Sequence, residues 1–151
     1  KEETLLDWMP RMRDLQCAWL LLALWATPRA NHVVRALPPT QAREYAAEHD
    51  SRIWNTLQQL LGHAPHRDQA RRARTLAALP GRLGGLGLRS AERTSPAAYW
   101  ASWADALEVI RQRRPNEAAE FLAELESDGL SQAPCLREVQ EAADLLDHEG
   151  F

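Results

Sequence analysis

Along nearly the whole chain apolar positions recur every three or four residues, and no stretch alternates apolar and polar side chains as a half-buried strand would. The clearest stripe is Ala42, Tyr45, Ala46, His49, Ile53, Trp54, Leu57, Leu60 and Leu61. It predicts one helix from Thr40, the expected N-cap, to Leu61, with Gly62 as terminator. Upstream, the pattern predicts a helix from Asp14 to Ala26. A short second helix follows, capped by Thr27 with Pro28 in its first position, and "LPP" at Leu37–Pro39 ends it. Downstream, a fourth helix covers Arg67 to Leu79 and stops at Pro80. Ser95-Pro96 then opens a fifth helix to Arg113, with the seam Trp100, Trp103, Leu107 and Ile110. Asn116 is the expected cap of a shorter acidic helix that ends near Gly129, and a last helix runs from Pro134 to Asp147. The connections are short and no period recurs. The expected fold class is all-α, an irregular bundle of about six to seven helices with short loops and a Gly-rich turn.

That turn, "LPGRLGGLGLRS" from Leu79 to Ser90, invites a phosphate-cradle reading and does not fit one. A dinucleotide fingerprint needs G-x-G-x-x-G after a strand, and a P-loop needs Lys and Ser or Thr after its last glycine. Here the spacing is G-x-x-G-G-x-G, a helix precedes it, and Leu88-Arg89 follows. Gly84, Gly85 and Gly87 read instead as a structural loop, allowing positive φ and close backbone approach while Leu83, Leu86 and Leu88 plug into the core.

Composition limits the classes of function. At 151 residues the chain suits one domain, or one with an appended segment, and buries roughly 70% of its unfolded surface. It begins at Lys1, which suggests a fragment or a processed product. The longest apolar run, Leu15 to Ala26, falls short of the about 20 residues a membrane span needs, so it reads as a buried core helix. Cys17 and Cys135 imply no disulfide framework and point to a reducing compartment. "HAPH", with His63 and His66, has metal-like spacing, but no Cys or Glu lies close enough to complete a site. The expectation is no metal, no cofactor and no catalytic residue: there is no nucleophile elbow and no paired aspartates for two-metal chemistry. The six tryptophans are expected mostly in the core, with Trp8 the most exposed.

The net charge of −3 hides a strong polarity. Residues 11–93 carry 13 arginines against 6 acids, whereas residues 115–151 carry one arginine against 10 acids. Such asymmetry fits a polyanion-facing portion with an acidic appendage; the alternative is two solvated faces that neutralise each other. The sharpest basic feature is the predicted fourth helix. There Arg67, Arg71 and Arg74 fall at i, i+4 and i+7 on one face, opposite Ala70, Ala73 and Ala77, and Arg82 and Arg89 extend the row into the loop. Like charges at that spacing destabilise a helix by a few tenths of a kcal/mol per pair, and a phosphate backbone along the row reverses the sign. A plain solvated arginine face is the competing reading.

Three pieces in order carry a resemblance. They are Pro28, Arg29, Asn31 and Arg35; then Asp50 and Trp54; then Leu79, Pro80, Gly84, Gly85, Gly87 and Leu88. Over residues 13–113 the chain resembles the region that follows the catalytic palm in reverse transcriptases of non-LTR retroelements. The resemblance implies a thumb-like domain, expected over 1–114; it does not extend past Pro115, where composition instead marks an acidic helical appendage over 115–151. It also implies a non-catalytic part of an RNA-directed DNA polymerase that grips the template–primer backbone, a role that the separately read row of Arg67, Arg71, Arg74, Arg82 and Arg89 suits. The family's metal-binding aspartates have no counterpart here. The implied partners are a nucleic-acid duplex, a polymerase palm supplied by another chain or segment, and other protein subunits; the implied compartment is intracellular, nuclear for a retroelement product. A helical scaffold subunit with no nucleic-acid role is the rival reading, which the ten carboxylates after Pro115 favour.

Overall fold

The computed structural model describes residues 2–62, 65–127 and 129–149. About 82% of it is helical, with no strand among the described residues, and the fold is an all-α bundle. The helices are α1 (Glu2–Trp8), α2 (Leu15–Leu21), α3 (Asn31–Ala36), α4 (Pro39–Leu61), α5 (Arg67–Ala78), α6 (Ala91–Arg113), α7 (Pro115–Leu125) and α8 (Pro134–Glu149). They belong to two compact units. The first comprises Lys1–Ala30 with Tyr45–Glu92, and the second Asn31–Glu44 with Arg93–Phe151. The composition change at Pro115 thus lies within the second unit.

In the first unit the core is Leu6, Met9, Leu22, Ala26, Ile53, Leu57, Ala77 and Leu88. Asp14 caps α2, its carboxylate accepting from the Cys17 amide at 3.0 Å, and these bonds hold the Asp14 carboxyl below its ordinary value. The expected break at Thr27 is absent. α2 passes through a π-turn, Leu22–Ala26, and a 3-10 turn, Thr27–Ala30, directly into α3. Thr27 is no cap: its amide closes the wider turn on the Leu22 carbonyl, and its hydroxyl donates to the same carbonyl at 2.8 Å. The wider turn leaves Leu24 and Trp25 at 66% and 67% exposure, so the apolar run is not buried all round.

The tryptophans also depart from expectation. None of the six is fully buried, and Trp8, Trp25 and Trp100 are exposed. Alanines are fully inaccessible instead: Ala18, Ala26, Ala30 and Ala46 in the first unit and Ala42 in the second. Small side chains let backbones approach closely, whereas large rings are harder to enclose completely. Trp19, partly buried, donates its indole N–H to the Leu86 carbonyl at 3.1 Å.

α4 matches its predicted stripe, with Ala46, His49, Ile53 and Leu57 buried. Its start moves, because the Pro38 carbonyl rather than Thr40 opens the helix, accepting from the Gln41 and Ala42 amides. His49 reaches the Thr27 carbonyl at 3.2 Å through Nε2, which carries the hydrogen because a carbonyl only accepts.

The second unit is held at its turn by Gln140. Its amide N–H donates to the Glu124 and Gly129 carbonyls at 3.2 Å, and its oxygen accepts from the Ser131 amide at 2.8 Å. These bonds close the connection between α7 and α8 around Ala118, Leu136, Val139 and Ala142. Glu138 of α8 accepts from the Thr40 amide and hydroxyl. The α6 seam is shifted: Tyr99 is buried and Trp100 exposed, while Trp103 meets Phe121 edge-on at 6.4 Å. α7 starts at Pro115, with Arg114 rather than Asn116 flanking it. Proline at the first position needs no amide partner.

Candidate nucleic-acid interface

The glycine loop forms because α5 ends with carbonyls that have no helical partner. The chain turns at Gly81–Leu83 and folds back on the helix end. Ala77 O accepts from the Leu86 and Leu88 amides at 3.2 and 3.1 Å, and Leu79 O accepts from Gly87 N at 2.9 Å. Gly84 and Gly87 take φ of 78° and 72°, and a Cβ at Gly85 would overlap the Leu79 backbone carbonyl. Leu88 is buried and Leu86 half-buried. Leu83, expected in the core, is 61% exposed, because the 3-10 turn that carries it stands off the helix end.

Folding the loop back brings Arg89 to α5. Arg74 and Arg89 line one open groove of about 330 Å³, solvent included, together with Asp50, Trp54, Ala77 and Ser90. Arg71 lies one turn back on α5, and Arg82 sits on the 3-10 turn; both are exposed. The groove does not include Arg82. The Arg67 side chain lies outside the described residues, as does His63. At 100° per residue the arginine row stands about 90° from the buried alanine face, so it flanks that face rather than opposing it. That is why Arg74 shares a groove with Ala77 and Ala78. Among the described residues, Arg71, Arg74, Arg82 and Arg89 form no ion pair.

Asp50 explains how the groove is built. This carboxylate, 7% exposed, accepts from the Ser90 hydroxyl at 2.6 Å, the Ala91 amide at 2.7 Å and the Glu92 amide at 3.2 Å. The cap of α6 therefore comes from the middle of α4, and α6 begins at Ala91, four residues before the expected Ser95. Pro96 lies inside the helix as a result. A helix N-terminus favours an anion, and here Asp50 is that anion. Its oxygens are engaged by the amides and the Ser90 hydroxyl, and among the described residues it forms no ion pair with Arg74 or Arg89. Nothing next to Asp50 in the sequence signals this role. Ser90 with Glu92 two residues on was the available helix-start signal.

The fold and groove define a class, a helical bundle with a cationic groove in one unit, and no particular protein. No family model, curated protein or solved structure matches the chain. No helix among the described residues is long and apolar enough to cross a membrane.

Proposed function

We propose that the first unit binds the sugar-phosphate backbone of a nucleic-acid duplex, as the non-catalytic, thumb-like portion of an RNA-directed DNA polymerase whose palm is supplied elsewhere. The observation that carries this reading is the convergence of Arg74 and Arg89 on one groove, with Arg71 a turn away and none of them ion-paired among the described residues. Guanidinium forks match phosphate oxygens in two contacts at once. Backbone contacts of this kind position a duplex without reading its sequence.

The test is a salt titration of binding to a short RNA–DNA hybrid, followed by fluorescence anisotropy. Each phosphate neutralised adds about 0.9 to the slope of log affinity against log salt. Replacing Arg71, Arg74 and Arg89 by Ala should flatten that slope by about 3 and weaken binding uniformly across sequences. Absence of binding at low salt, or an unchanged slope, would leave the scaffold reading standing instead.

A further inference from the structure

A continuous apolar surface runs over the first unit beside the arginine groove. Two open hollows, of about 630 and 730 Å³ with solvent included, share Leu57, Leu61 and Leu86 as a common wall. Leu76 of α5 flanks one hollow, and Leu15 and Trp19 of α2 flank the other. Leu15, Leu61 and Leu76 are 52%, 47% and 48% exposed, and no charged side chain lines either hollow. Trp54 and Ala77 line both the first hollow and the groove of Arg74 and Arg89, so the trough passes without a break into a cationic end. Asp50, the carboxylate lining that end, is already committed to three hydrogen bonds.

We propose that this trough docks an amphipathic α-helix of a partner protein, with leucine-type side chains along one face and carboxylates at the end that meets Arg74 and Arg89. Contiguous apolar surface left in water is unfavourable, and in folded proteins it marks sites that a partner covers. The run from Trp54 to Leu61 is two helical turns long, about 11 Å, which suits anchors at i, i+4 and i+7. Charge selects among occupants. A basic helix would meet like charge at Arg74 and Arg89, and a nucleic acid has no aliphatic face to fill the hollows. A second copy of this chain is a poor fit, because its acidic helices α7 and α8 expose one large apolar side chain each, Leu122 and Leu145, rather than a row of anchors, and bury Ala118, Leu136, Val139 and Ala142. The leucines of the trough have no part in duplex binding, whereas Arg74 and Arg89 serve both partners, so the trough variants separate the two readings.

The experiment titrates the full chain with a labelled synthetic helix of about 14 residues, carrying leucines at those spacings and glutamates at its flanks and one end. Indole fluorescence reports contact at Trp19 and Trp54. The glutamate peptide should bind at least tenfold tighter than a twin with lysines in place of the glutamates. Leu15→Gln and Leu76→Gln, both at exposed positions that do not hold the fold, should each weaken it about fivefold, the equivalent of about 1 kcal/mol. The same variants should leave duplex affinity unchanged, and Leu122→Gln on α7 should leave peptide affinity unchanged. Equal binding of the two peptides, or none, overturns the proposal. So does light scattering that shows the chain self-associating and either trough variant restoring a monomer, because a second copy then covers the surface.

Discussion

The two units differ in net charge and in what their arginines meet. The first carries 11 basic and 8 acidic residues, a net of +3, and the second 7 basic and 13 acidic, a net of −6. In the second unit cations meet acids at close range: Arg35 with Asp105 at 2.7 Å, Arg111 with Glu108 at 3.1 Å, and Arg114 with Glu117 at 3.3 Å. In the first, Arg52 pairs with Glu48 at 2.6 Å on α4, but the arginines of α5 and the loop that the structure describes stand without ion pairs, while a buried acid, Asp50, caps a helix. Exposed pairs contribute little to stability, whereas a buried carboxylate that satisfies two amides and a hydroxyl contributes much. The difference separates charge that serves the fold from charge left for a partner.

The largest expected effect breaks the buried side of that contrast. Asp50→Ala should lower unfolding free energy by about 2–4 kcal/mol, because it strands three donors at the start of α6. Asp50→Asn keeps an acceptor and should cost about half as much; urea denaturation reads both. Gly85→Ala should cost about 2–3 kcal/mol through overlap with the Leu79 backbone. Gly84→Ala has open space around it and only a strained φ to accommodate, so about 1 kcal/mol is expected. A similar cost for the two glycine variants would refute the close-approach account.

Smaller effects test the solvent-facing charges. The combined Arg71, Arg74 and Arg89 to Ala variant should stay within about 0.5 kcal/mol of the parent in stability, although its duplex affinity falls. A double-mutant cycle on Arg35 and Asp105 should give a coupling of about 0.2–1 kcal/mol. The smallest change is in pH response. The Cys17 amide bond favours the Asp14 carboxylate in the folded state. Its contribution is therefore complete above about pH 3.9 and lost as pH falls through the lower folded-state value. Amide exchange of Cys17 should accelerate over that range, and Asp14→Asn should remove the dependence. Burial pushes Tyr99 the other way, above the usual phenol range, so its contribution is lost only as alkaline pH passes the raised value.

Helix type and much of the helix layout were legible in the chain. The stripe from Ala42 to Leu61 repeats with the helical period, and proline and glycine punctuate it, so α4, α5 and α8 fall close to expectation. Local signals failed where a residue's partner is remote. Thr27 resembles a cap and instead bonds the carbonyl of Leu22. Ser95-Pro96 resembles a helix start, yet Asp50, some forty residues upstream, begins α6 at Ala91. The candidate site was half legible. The arginine row is a property of spacing, but the pairing of Arg74 with Arg89 exists only because the loop donates its amides back to Ala77 and Leu79.

The sequence by itself determined that the protein is helical, that its charge is polarised, and that one helix carries a row of arginines, because each is a matter of period and composition within a few residues. Tertiary structure alone decided that alanines rather than tryptophans are fully buried, that Asp50 caps a distant helix, and that an apolar trough runs into a cationic groove. Those outcomes depend on which surfaces approach closely enough to exclude water, and separation along the chain does not encode that distance.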